Sequence, residues 1–239
     1  LIALFLAALL AVVPADAPTP PPTAPPDVPP LRDLITPAQV LARYAGALAA
    51  VPAPHVISFE YVVEQIGARD LLQTHRVFRS GTNQRDEIIA VDGHTLDPPA
   101  VRITTGRRDR YAISALAPRL GAYDFHFVGA SHVARHKDYT FVTRAHQPGA
   151  FRVTAVTIDG STFLPNAIAF ETAAHGGTGR ITYVRVDRYW VPLQATAHAT
   201  YAKLAASEKI SFASYRFPAA LPPETFSQPH RAPVVKPDG

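Results

Sequence analysis

The fold is decided by one stretch, Gly179 to Phe226: GRITYVRVDRYWVPLQATAHATYAKLAASEKISFASYRFPAALPPETF. It contains three strand-like runs in succession and ends in a proline-rich exit. The middle run, Leu193 to Tyr201, alternates along its length. Leu193, Ala195, Ala197, Ala199 and Tyr201 fall on one side; Gln194, Thr196, His198 and Thr200 fall on the other. A period of two is the signature of a strand with one dry and one wet face. The dry face is mostly alanine, so it is apolar but thin. A helix, larger side chains from facing strands, or a ligand must fill the space above it.

Upstream, the same pattern recurs. Val56 to Ile66 places Ile57, Phe59, Tyr61 and Val63 on one face. Leu71 to Ser80 and Gln84 to Val91 follow, and Asp92-Gly93 reads as a tight turn. Val101 to Thr105 and Arg110 to Leu116 read as shorter strands. Tyr123 to Val128 sets Tyr123, Phe125 and Phe127 against Asp124 and His126. Tyr139 to Ala145, Phe151 to Ile158 and Leu164 to Thr172 continue the series, with turns at Asp159-Gly160 and at His175 to Gly179. One helix precedes them. Thr36 can cap it, Pro37 suits its first position, and Gln39 can close a capping box. Val40, Leu41, Tyr44, Ala45 and Leu48 line one face of that helix, which should stop before Pro52. Ile35 and Val40 sit where a hydrophobic staple forms. One leading α-helix and about a dozen strands joined by short turns predict a mainly β fold, a curved antiparallel sheet close to closure. No repeat of fixed period appears.

Composition fits one large β domain. The chain has 239 residues, 47% hydrophobic and 18% charged. It contains no Cys, which excludes disulfides, a thiolate metal site and a Cys nucleophile. All 23 Lys and Arg lie after Pro30, whereas Asp16 and Asp27 lie before it, so the formal charge of +4 for the chain becomes +6 from Leu31 onward. This is a moderate positive bias for a soluble surface, with some pull towards an anionic head group, a membrane surface or an acidic partner.

The N-terminal stretch reads as an export address. Leu1 to Val13 is apolar and uncharged, and Ala15-Asp16-Ala17 has the small residues of a signal-peptidase site. Nine of the 24 prolines fall between Pro14 and Pro30, a composition that favours extended polyproline conformation and forms no core. The expected organisation is a signal peptide over 1–17, a Pro-rich linker over 18–30, a folded domain over 31–228 and a tail over 229–239.

Chemical motifs are sparse. There is no Walker A sequence, G-x-S-x-G elbow, H-E-x-x-H or G-x-G-x-x-G. His132 and His136 are four apart, a spacing that binds zinc on a helix. Here they lie between strands beside Arg135 and Lys137, and a solvated hairpin loop is the expectation. Arg107, Arg108 and Arg110 form a basic cluster with little aromatic interleaving, which suits an exposed turn better than nucleic acid. Asp86 and Glu87 are adjacent in a strand and point to opposite faces, so they are not a paired acid and base. Trp190 sits at a strand junction, where rim packing is expected over ligand contact. No catalytic residue, cofactor or metal is expected.

A resemblance rests on several short stretches taken in order. They are Val91-Asp92-Gly93, Val128 to Val133 with His136 to Phe141, Thr157 to Pro165, Asp187 to Pro192, and the close Tyr215-Arg216-Phe217 with Leu221 to Phe226. Together the chain resembles the LolA-like periplasmic lipoprotein carriers and outer-membrane lipoprotein-sorting proteins. The resemblance implies an unclosed, half-open β-barrel capped by helices, with acyl chains held in an apolar cavity, and it carries no catalytic residue. It also implies a lipid or acylated lipoprotein as partner, with a membrane-bound transporter or acceptor, for a monomer in the periplasm or cell envelope. Residues expected to line the cavity are Phe59, Tyr61, Phe125, Phe127, Ile168, Phe170, Ala195, Ala197, Ala199 and Tyr201. The leading expectation is an exported, non-enzymatic carrier or binder of a lipophilic ligand. An envelope-sensing or protein-binding module on the same fold is the second, and a hydrolase with dispersed residues the third.

Cleavage after Ala15-Asp16-Ala17 would leave Pro18 at the mature N-terminus. N-terminal sequencing of the protein from the envelope fraction checks this, and retention of Leu1 to Val13 would make it an anchored domain instead.

Overall fold

A computed structural model describes residues 35–67, 70–106, 112–133, 136–173, 176–201 and 204–227. The fold is that of the second of two units, Ile35–Gly239; the first, Leu1–Leu34, lies outside the described residues. The signal-peptide and linker expectations therefore lie outside them too. So does the Arg107, Arg108 and Arg110 cluster.

The chain opens with helix α1 (Pro37–Ala50) and continues into β1 (Val56–Ile66), β2 (Leu71–Ser80), β3 (Asn83–Val91) and β4 (His94–Thr104). A short helix, α2 (Ile113–Leu116), leads to β5 (Tyr123–Val133), β6 (His136–Ala145), β7 (Phe151–Asp159), β8 (Pro165–Thr172), β9 (Thr178–Val186), β10 (Tyr189–Tyr201) and β11 (Leu204–Arg216). A 3-10 turn, Pro223–Phe226, follows. The strands form one antiparallel sheet of 11, in the order β4-β3-β2-β1-β11-β10-β9-β8-β7-β6-β5. Two meanders, β1 to β4 and β5 to β11, are thus joined where the first strand pairs with the last. β4 and β5 are the two edges and do not pair, so the sheet is unclosed. This is the mainly β, half-open architecture with a leading helix that the sequence predicts.

The helix forms for the reasons legible in its sequence. Thr36 and Gln39 make a reciprocal capping box: the Thr36 N–H donates to Gln39 Oε1 (2.9 Å) and the Gln39 N–H to Thr36 Oγ1 (3.3 Å). Val40, Tyr44 and Leu48, four apart, are its buried residues. They pack with Ile113, Ala117, Tyr139, Phe141, Val153, Val156, Ile158, Ile168 and Tyr183 in the main core. The Tyr44 hydroxyl donates to the Pro118 carbonyl (2.6 Å), tying α1 to the segment after α2. Burial pushes the Tyr44 and Tyr183 phenols well above their usual range. A second core gathers Ile57, Phe59, Val77, Tyr189 and Val191, with Tyr61, Phe212, Tyr215 and Phe217 packed against it.

Four segments depart from the sequence expectation. Residues 113–116 are helical, not strand: the three buried positions Ala112, Ile113 and Ala117 follow no alternation, and the segment packs under α1. β4 begins at His94, directly after the Asp92-Gly93 turn, rather than at Val101. His132 and His136 belong to paired strands rather than to a loop, with His132 opposite Lys137 and Val133 opposite His136. No group of three metal-binding side chains occurs among the described residues. Leu193 does not join the alanine face. The register shifts between Pro192 and Gln194, so Leu193 sits at a bulge and is 48% exposed.

The β7–β8 turn is built by one carboxylate. Asp159 Oδ1 accepts from the Ser161 N–H and Oγ (3.0 and 2.6 Å) and from the Thr162 N–H and Oγ1 (2.7 and 2.8 Å). Gly160 follows because a Cβ there would lie 2.5 Å from the Lys137 carbonyl oxygen. Withdrawal from water alone would raise the Asp159 carboxyl, but the four hydrogen bonds outweigh it and hold the group below its usual range. A depressed carboxyl stabilises the fold above the unfolded pKa, about 3.9, and loses that contribution as pH falls through the folded value. Urea denaturation should therefore show Asp159→Asn less stable than wild type by a constant amount above about pH 5, with the gap closing below about pH 4. A gap that does not change with pH would mean that the charge plays no part.

Candidate functional site

Register identifies which side chains share the inner face, the face that carries α1. Paired residues lie on one side, so a row can be followed across the sheet. One row runs Phe127, Phe141, Val156, Ile168, Ile181, Ala195, Ile210 and Val63. Its burial is uneven. Phe127, on the edge strand, is 44% exposed, while Phe141, Val156 and Ile168 are at most 1% exposed beneath α1. From Ile181 onward the row is only partly buried. The helix ends its cover near β9, and the inner face of β10 and β11 is left without it.

A groove occupies that place. Its first part, about 230 Å³, is lined by Leu116, Phe170, Ile181, Pro192, Ala195, Thr196, Ala197, Glu208, Ile210 and Phe212. Its second part, also about 230 Å³, is lined by Gln65, Phe170, Thr172, Gly177, Thr178, Ala197, His198, Ala199, Ala206 and Glu208. The two share Phe170, Ala197 and Glu208, so they are continuous. The alanine floor is where the alternation of β10 places it, now running from Pro192 across the Leu193 bulge to Ala199.

Phe170 forms one wall for a specific reason. It pairs with Gly179, and a Cβ on Gly179 would overlap both its ring and the Thr196 carbonyl oxygen. The missing side chain lets the ring lie against the sheet. Phe151 stacks on its other flank, centroids 5.0 Å apart.

The expected lining residues divide into groups. Phe170, Ala195, Ala197 and Ala199 come together in the groove. Ile168 is in the main core beneath α1 and Phe59 in the second core. Phe125 lies against Tyr44 and Phe141, and Phe127 against Phe141, on the β5 side of the sheet. The Tyr201 side chain lies outside the described residues. Tyr61 takes part in a polar cluster that the strand pattern does not reveal. Its hydroxyl donates to Asp86 Oδ2 (3.1 Å) and lies 2.9 Å from His75 Nδ1, which is itself 2.9 Å from Asp86 Oδ1. His75 Nε2 faces Gln73 Oε1 at 3.3 Å, and the Tyr61 and His75 rings stack 4.3 Å apart. Both imidazole nitrogens are thereby engaged, which suits a positioning network better than a general base. Register pairs of Tyr61 with His75 and with Phe212 place this cluster on the inner face beyond the Phe212 end of the groove.

Asp86 and Glu87 do point apart: Glu87 pairs instead with Arg85 (2.6 Å), whose guanidinium also donates to the Thr225 and Ser227 carbonyls of the C-terminal turn. Trp190 packs partly buried against the main core and donates from Nε1 to the Pro165 carbonyl (2.6 Å), a rim contact.

Gly179→Ala should push Phe170 off the floor and strain the Thr196 backbone. The expected cost is roughly 1–3 kcal/mol in urea denaturation. Trp190, the single tryptophan, reports on the neighbouring β9–β10 register by its fluorescence. A fully stable variant would show that the ring has room to move.

No protein-family model matches the chain, and no curated protein sequence matches it. Among solved structures the chain is similar to a LolA superfamily protein from Nitrosomonas europaea, at 11% identity and a TM-score of 0.46, covering 82% of this chain and 99% of the other. It is similar to a DUF1329 family protein from Desulfovibrio piger, at 11% identity and 0.46, covering 78% and 96%. It is also similar to a domain classed with outer membrane lipoprotein-sorting proteins from Vibrio parahaemolyticus, at 15% identity and 0.42, covering 78% and 95%.

Proposed function

We propose that the chain is an exported, non-enzymatic carrier or binder of a lipophilic ligand, a lipid or the acyl chains of a lipoprotein, held in the groove over β10 and β11. The observation that carries this reading is the break in burial along the inner-face row. Apolar side chains continue from Ile168 into Ile181, Ala195 and Ile210, but the helix that covers the first does not cover the others. Apolar surface left open on the inner face is surface that a ligand can cover. Each methylene of an acyl chain moved from water into the groove contributes roughly 0.8 kcal/mol. The alanines keep the floor low, and Phe170, Ile181, Ile210 and Phe212 raise its sides. Release follows by competition from a membrane, or from a membrane-bound acceptor or transporter, for the same acyl surface. In the polar cluster of Tyr61, His75 and Asp86 both imidazole nitrogens are engaged, by Asp86 and Gln73, and the cluster supplies no activated nucleophile to this reading.

Ala197→Phe tests it. In an open groove the ring enters empty space, so stability should hardly change while binding of a fluorescent fatty-acyl probe is lost. In a filled interior the same ring overpacks and costs roughly 1–3 kcal/mol. The reading fails if wild type does not bind the probe, or if the variant binds it equally well.

A further inference from the structure

The groove has one carboxylate in its lining. Glu208 pairs in register with Ala197 on one side and Gln65 on the other, which sets it on the inner face. It lines both parts of the groove, together with Phe170 and Ala197. It makes no hydrogen bond or ion pair among the described residues. Lys209 and Arg180, the basic residues nearest it in sequence and register, alternate onto the opposite face and are exposed. The chain carries +4 overall, so this carboxylate runs against the bias of the surface.

We propose that the groove selects amphiphiles with an ammonium head group, Glu208 pairing with the charge and Phe170 lining the groove beside it. This rests on the reading of the groove as a lipophilic site and specifies the class of ligand. A chain that fills the groove takes water away from Glu208. A carboxylate so desolvated is costly unless a cation meets it. An anionic head group adds repulsion, and a neutral one leaves the charge unpaired. A quaternary or primary ammonium satisfies it. The polarity of the groove sets the direction. The tail lies towards Leu116, Ile210 and Phe212, and the head lies at Glu208, towards Gln65 and Thr178.

The test is calorimetric titration of the full chain, at physiological ionic strength, with dodecyltrimethylammonium, dodecyl maltoside and dodecyl sulfate, each below its micelle concentration. Dodecyltrimethylammonium should bind on the order of tenfold tighter than the other two, the equivalent of about 1.4 kcal/mol. Glu208→Gln should abolish the preference for dodecyltrimethylammonium over the maltoside, and Glu208→Lys should favour the sulfate. Equal binding of all three by wild type, tightest binding of the sulfate, or an undiminished preference in Glu208→Gln overturns the inference and leaves the carrier reading in place. No binding of any of the three overturns the carrier reading as well.

Discussion

The pairing of β1 with β11 is the constraint on which the rest depends. Every other pairing joins strands that are neighbours in sequence, and each can form by closing a short turn. Only this one joins segments roughly 150 residues apart, at the larger entropic cost of closing a long loop. It turns two meanders into one sheet and brings the Tyr61 side of β1 against Phe212 and Ile210. It also sets the second core, because Phe59 meets Phe212 (6.0 Å) and Tyr215 (5.4 Å) only across this seam. The seam is not regular. Its register shifts between Ser58 and Glu60, opposite Ser214 at a φ of 56°. A bulge there bends the strands sharply, which curves the sheet without closing it.

A single helix cannot cover such a sheet. α1 has 14 residues and is therefore about 21 Å long. Strands lie about 4.8 Å apart, so even laid straight across them it spans about four. The buried strand residues that share its core, from β6 to β9, match that reach, with Phe125 of β5 against Tyr44 at one end. Its position follows from the large apolar residues of those strands and from the bond between Tyr44 and Pro118. β10, with Ala195 in the row where β8 carries Ile168 and β9 carries Ile181, offers the helix little to bury.

Local features were legible in the sequence where one rule acts alone. The capping box at Thr36 and Gln39, the bounds of β1 and β2, and the turns at Asp92-Gly93 and Asp159-Gly160 all follow from nearest-neighbour chemistry. The half-open sheet followed from the count of strands and from the resemblance to the LolA-like proteins. The misses have identifiable causes. Leu193 fits the alternation of its strand, but a bulge is a property of two strands, and nothing in β10 itself announces it. Ile113 to Leu116 was too short for either period to decide, and packing against α1 made it helical. The groove was only half legible. Alternation placed Ala195, Ala197 and Ala199 on one face, but a face does not say which distant strands share it. Phe170 and Phe125 look alike in sequence, yet register puts the first beside the alanines and the second under Tyr44. His75 with Asp86, and Glu208 with Ala197, are juxtapositions across strands. They are visible only once the register is known.

The groove lies between two cores, and this separates what keeps the protein folded from what the groove can accept. Ile168, Val156 and Phe141 are saturated with contacts on the helix side; Phe59, Val77 and Val191 are saturated on the other. Between them β10 and β11 are held mainly by their backbone ladder, from Gln194 and Ser211 to Tyr201 and Leu204. A ladder holds strands together whatever the side chains on one face do. Alanine and glycine therefore cost the fold little here, whereas the same residues beneath α1 would leave a cavity worth several kcal/mol. The same logic explains how Glu208 is tolerated. Under the helix a lone carboxylate would have to find a partner or be protonated. In the groove water can reach it until a ligand arrives, and the cost of its burial then falls on binding rather than on folding.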